Sequence, residues 1–207
     1  RRTTRKTHQF HLKRRGALFV NQFNHANYIG VLRKQINIQN PNNQAVFIKH
    51  YYSTYSTPNL PPSWMVFEDV SFGVISKTVE HVIKSECGEF GTQFGLSHQV
   101  LTSWLHALSY VRNLCAHHSR VWNRVLTIKP IVAKRYKGLM TDNSRIYSIL
   151  IVAQVMLRKA APDNHWATRL RELLDEHPDI PLSAMGIPEN WYEHELWGLE
   201  PALNFPE

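Results

Sequence analysis

The stretch VRNLCAHHSRVWNR, from Val111 to Arg124, places three arginines, two asparagines and two histidines in a segment whose remaining residues are mostly apolar. Burying that many polar groups is costly unless each is paired or used, so the pattern asks which face of which element carries them. On a helix, residues spaced by 4, 3 and 4 share a face, because about 100° per residue brings them back into line. Trp104, Leu108, Val111, Cys115, His118, Trp122 and Val125 follow that spacing and read as a core stripe, with Cys115 as a small core residue and His118 as a structural histidine. Asn113, His117, Arg120 and Arg124 follow it on a second, polar face, and Arg112 stands beside Asn113. The expected element is a long helix that Ser97 caps and that runs to about Leu126, with Pro130 as its stop.

The rest of the chain reads as helical on either side of this element. Ala45, Ile48 and Tyr52 share a face in NNQAVFIKHYYSTY, and the prolines of STPNLPP end that segment. Ser63 is the expected N-cap of a further helix, in which Val66, Val70, Val74 and Ile75 recur at helical spacing. A glycine-punctuated connection containing Cys87 leads into the motif helix. After it come a basic loop, a nearly all-apolar helix from about Ser144 to Ala160, and, past Pro162, an amphipathic segment in DNHWATRLRELLDEH. There is no convincing strand alternation and no internal repeat, so the expected fold class is all-α, an antiparallel helical bundle. The expected organisation is a basic N-terminal arm over residues 1–40, a helical domain over 41–178, and an irregular Trp-rich C-terminal strap over 179–207.

Charge is distributed unevenly along the 207 residues. Residues 1–67 hold ten Lys/Arg and no acid, residues 68–162 hold twelve against six, and residues 163–207 hold two against ten. A polyanion such as RNA would be drawn to the first two thirds and repelled by the end, although a basic arm that simply lies in solvent gives the same composition. The longest apolar run, Ile146 to Leu157, falls short of the roughly 18 residues a membrane span needs. The two cysteines have neither disulfide nor zinc spacing, and the opening residues do not read as a secretory signal, so a reducing cytoplasm is expected. The chain starts at Arg1 without an initiator Met and reads as beginning inside a longer native N-terminus.

Arg, Asn and His side by side have a definite chemistry. An imidazole titrates near neutrality and can move a proton, and a neighbouring guanidinium can hold a phosphate and stabilise charge that develops on it. These groups suit RNA cleavage by the strand's own 2′-hydroxyl, which needs proton transfer and an electropositive clamp but no metal. No pair among the histidines has the His-Glu-x-x-His or Cys-x-x-Cys setting of a zinc site, so neither metal nor cofactor is expected.

The residues of this stretch also carry a resemblance. RNLCAH resembles the Arg-Asn-x-x-x-His signature of HEPN ribonuclease domains, and its surroundings are similar to the Abi-like abortive-infection proteins of bacteria, the AbiD/AbiF group. FIKHYYSTY, PPSWMVFEDVSFGVISK, SWLHALSYVRNLCAHHSRVWNR and MGIPENWYEHELW look like that family's blocks in order, from about residue 45 onward, whereas residues 1–40 depart from them. The resemblance implies an α-helical HEPN fold that dimerises, and a metal-independent endoribonuclease at a composite site between two motif helices. Its products would be a 2′,3′-cyclic phosphate and a 5′-hydroxyl. By motif position, Arg112 would bind and polarise the scissile phosphate, Asn113 would orient it or its partner, and His117 would serve as general acid or base. His118, Arg120 and Arg124 would contact RNA. Glu68 would either pair with a motif arginine and orient it, or be a carboxylate in the N-terminal turn of its helix. RNA is the expected partner, as substrate or as a regulatory or antitoxin RNA, together with a second copy of the chain. Two other classes of function remain open from sequence: an RNA-binding module that does not cut, and a scaffold whose Trp-rich end docks a protein.

Overall fold

Leu32, Ile36, Ile48 and Val66 are fully buried in one cluster, and the elements that carry them define the N-terminal part of the fold. In the computed structural model, residues 24–81 and 91–198 are described. Cys87, the first 23 residues of the basic arm and residues 199–207 of the strap lie outside that set. The chain divides into two units, residues 1–86 and 87–207. All regular structure among the described residues is helical, as the patterning predicts, and no strand occurs among them.

In the first unit, α1 spans His25–Gln35, α2 Val46–Thr54, α3 Ser63–Asp69 and α4 Phe72–His81. Helix α1 falls where the sequence has weak periodicity, yet Asn24 caps it by accepting from the Asn27 amide at 3.0 Å, and Tyr28 and Leu32 anchor it in the core. Helix α2 buries Ile48, with Ala45 and Tyr52 partly buried against the same cluster, as their shared face predicts. The proline loop that follows is tied down by Tyr51, whose hydroxyl donates to the Pro58 carbonyl at 2.9 Å.

The single helix expected from Ser63 onward is two. Val70 is extended, with ψ 154°, and α4 restarts at Phe72. Gln35 accounts for the break. Its side-chain oxygen accepts from the Ser71 amide at 2.8 Å and its amide donates to Ser71 Oγ at 3.3 Å, so the backbone group that a continuous helix would have satisfied is satisfied by α1 instead. Nor is Ser63 the cap of α3: Pro62 holds that position, with no side-chain hydrogen bond.

In the second unit, α5 spans His98–Ala116, α6 Ile146–Ala160 and α7 Trp166–Asp175. Ser97 caps α5 as expected, accepting from the Val100 amide at 3.4 Å. Helix α5 packs on α6, which is buried nearly all round, including Ile149, Ile151, Val152 and Val155. The end of the described chain wraps back on these helices through short 3-10 turns. There Trp197 lies 6.0 Å from the ring of Tyr147 and 6.0 Å from that of Trp166, stacked on both, with Trp191 edge-on at 4.8 Å. Offset-stacked and edge-to-face aromatics of this kind add specificity beyond their buried area. Trp191 and Trp197 are buried within their own unit, so these two rings are not free to dock a separate protein.

Candidate functional site

Helix α5 stops at Ala116, about ten residues before the end its apolar spacing predicts. Two hydrogen bonds make the stop: the His118 amide donates to the Cys115 carbonyl at 3.0 Å, and the Ser119 amide reaches back to Leu114 at 2.9 Å. This is the six-to-one and five-to-two pairing of a Schellman terminus, which needs a left-handed residue after the cap. His118 supplies it at φ 52°, a conformation that glycine adopts freely and other residues only at a cost.

The consequence is a different set of surroundings for the motif. The core stripe holds through Trp104 and Val111, which are buried, and fails beyond them. Cys115 is exposed, not a core residue, and His118 is exposed at the turn, not in an apolar stripe. Trp122 and Val125 are likewise exposed, at 36% and 58%. Helical phase therefore relates only Arg112 and Asn113 to the rest of α5, with His117 as its C-cap; Arg120 and Arg124 belong to the segment that follows.

That segment turns back along α5. Thr127 meets Tyr110, one turn before the motif, and farther back Ile131 takes two bonds from the helix. Its amide donates to Ser103 Oγ at 2.9 Å and its carbonyl accepts from Trp104 Nε1 at 2.8 Å. On its other side the Leu126 amide donates to the Ser144 carbonyl at 2.8 Å. Arg112, Asn113, His117 and Arg120 are thus exposed where the returning chain begins, at the C-terminal end of α5. The helix end carries partial negative charge, so an anion drawn here depends on the guanidinium groups for attraction. Arg112 Nη1 donates to Asn113 Oδ1 at 3.2 Å, which couples the first two motif side chains to each other.

Arg124 has a different partner from the one its spacing implies. It is half-buried and stands near the phenol of Tyr110, where its charge favours the phenolate. The Thr127 hydroxyl and amide, and then Arg124, favour the phenolate, holding the phenol below the ordinary tyrosine range against the opposing effect of burial. Spacing did contain a signal for Tyr110, since it stands seven residues before His117 and shares its face.

Glu68 lies in the first unit, exposed, one residue from the end of the seven-residue α3. It is in the last turn, not the first, because the helix breaks at Val70, so the helix dipole does not favour its charge. It makes no ion pair among the described residues. No group of three or more His, Cys, Asp or Glu side chains lies together among the described residues, and no helix there is long and apolar enough to cross a membrane.

Fold and site together define an all-α protein that displays an Arg-Asn-x-x-x-His motif at a helix terminus. The chain belongs to the Abi-like protein family, which matches it over residues 3–123, more than half its length, and which implies a role in abortive infection. The match begins at residue 3, so the family likeness includes the basic N-terminal residues that the block comparison set apart. It ends at Asn123, just past the motif. Comparisons with curated proteins and with solved structures gave no match.

Proposed function

We propose that this chain is a metal-independent endoribonuclease of an abortive-infection system, with Arg112, Asn113 and His117 as its reacting centre. The observation that carries this reading is the exposure of all three side chains, with Arg120 next to them, at the end of a helix whose other face is buried.

The chemistry follows from the groups. Arg112 holds a non-bridging oxygen of the scissile phosphate, and Asn113, bonded to Arg112, fixes the direction of that guanidinium. An imidazole takes the proton of the ribose 2′-hydroxyl as its oxygen attacks phosphorus. The bond to the 5′-oxygen breaks, and a second proton donor delivers a proton to that leaving oxygen. The 2′,3′-cyclic phosphate and the 5′-hydroxyl account for every atom of the substrate. Two transfers on opposite sides of one phosphate suit two imidazoles, so we place the second on the motif of a second copy of the chain. The charge that builds on the phosphate in the transition state is matched by Arg112 and by Arg120.

The competing reading is an RNA-binding module that uses the same cations without cutting. Incubating RNA with the wild type and with His117→Ala separates the two. A nuclease loses cleavage in the variant while RNA affinity stays within a few fold; a binding module cuts nothing in either form.

A further inference from the structure

A cleft of about 420 Å³ in the second unit lies between the end of α6, the turn at Lys134–Tyr136 and the strap near Leu196. Arg135, Arg158 and Lys159 line it, together with Phe94, Tyr136 and His194. None of the three cations makes an ion pair among the described residues. The one carboxylate at the rim, Glu195, leaves the cleft with an excess of positive charge. Like charges gathered in one concave place repel each other, and an anion relieves that repulsion.

Two bonds fix the floor. Arg158 Nη1 donates to the Glu195 carbonyl at 2.9 Å and to the Leu196 carbonyl at 3.3 Å, which leaves its remaining N–H groups for a ligand. His194 Nδ1 accepts from the Leu196 amide at 3.1 Å, so the neutral ring carries its proton on Nε2 as a further donor. The helix terminus by itself explains why Arg158 and Lys159 stand in the last turn of α6, where cations are favoured. It does not explain Arg135, which comes from a different element and lies over the Tyr136 ring at 5.7 Å, or the apolar lining that Phe94, Tyr136 and Val155 add to the cleft. The volume is that of a small-molecule site and exceeds what an inorganic anion fills.

We propose that this cleft binds a phosphorylated nucleoside, free or as one residue of an RNA strand, with phosphate on Arg135, Arg158 and Lys159 and the base toward the aromatic wall. The site is separate from the motif. Tyr136, one wall of the cleft, packs on Trp104 at 5.9 Å, and Asn113 leaves α5 nine residues later, on the opposite side at about 180° by helical phase. Binding here therefore does not depend on the cleavage reading.

The test titrates the full-length protein with each of the four ribonucleoside triphosphates, with a short single-stranded oligoribonucleotide, and with inorganic phosphate, by calorimetry. Arg135→Gln and Lys159→Gln are the variants, because both side chains are exposed and neither holds a hydrogen bond among the described residues. The expected result is a nucleotide or the oligomer binding at least tenfold more tightly than inorganic phosphate. Each variant should weaken that binding at least fivefold with an unchanged thermal midpoint, and His117→Ala should leave it alone. Mononucleotide binding assigns the cleft to a free nucleotide, and binding of the oligomer alone assigns it to an RNA strand. The proposal is overturned if neither probe outcompetes inorganic phosphate, or if both variants bind as the wild type does.

Discussion

The amide of Ser119 donates to the carbonyl of Leu114 at 2.9 Å, and this bond ends the helix on which the motif is built. Had α5 continued, His118 and Trp122 would have turned inward with the Trp104 stripe. Because it stops, the chain reverses, and the residues after Ala116 become a returning segment that leaves His117 and Arg120 in solvent.

The strain at that reversal is testable. His118 holds φ 52°, so His118→Gly should raise stability by roughly 0.5–1 kcal/mol, seen as a higher denaturation midpoint. If the imidazole also contacts RNA, affinity falls in the same variant while stability rises. A lowered midpoint would show that the turn relies on the histidine side chain.

Arg112→Ala should reduce both RNA affinity and cleavage, in contrast to His117→Ala, because a phosphate clamp acts in the ground state as well as in the transition state. Filter binding beside a cleavage gel checks this. Equal affinity for wild type and Arg112→Ala would remove Arg112 from the phosphate.

Cleavage by the 2′-hydroxyl needs no metal-bound nucleophile, so activity should survive a chelator in excess. Products analysed after EDTA treatment should still end in a cyclic phosphate, and loss of activity that added divalent metal restores would count against the mechanism.

The Tyr110 phenol should titrate before the other tyrosines when phenolate absorbance is followed upward in pH. Thr127 and Arg124 beside it favour the ionised form, so their contribution to stability is fully present above the unfolded value of about 10 and is lost as pH falls through the lower folded value. Tyr110→Phe should delete the earliest phase, and Thr127→Val should delay it more than Arg124→Gln does, since the Thr127 side chain is the larger cause.

Gly186, in the MGIPENW block, sits at φ 75° with Arg145 so close that an added Cβ would lie 2.8 Å from the Arg145 Cβ. Both the dihedral and the contact oppose a side chain, so Gly186→Ala should cost roughly 1–3 kcal/mol in urea unfolding. A neutral substitution would mean the strap shifts freely at this turn.

The sequence by itself determined the helical class, the cap at Ser97, the shared face of Ala45, Ile48 and Tyr52, and the extent of the apolar helix that became α6, because each rests on the period of the helix or on groups within one turn. It also placed Arg112, Asn113 and His117 together, since five consecutive steps along a helix cannot separate them far. Tertiary structure decided where α3 and α5 stop. The break at Val70 depends on Gln35, 36 residues before Ser71, and the stop at Ala116 depends on a left-handed histidine and on a returning segment pinned through Ile131 and Leu126. Periodicity records which residues could share a face, but a backbone group released from a helix must find another partner. Whether one waits, at Gln35, Ser103 or Ser144, is settled only when distant parts of the chain meet.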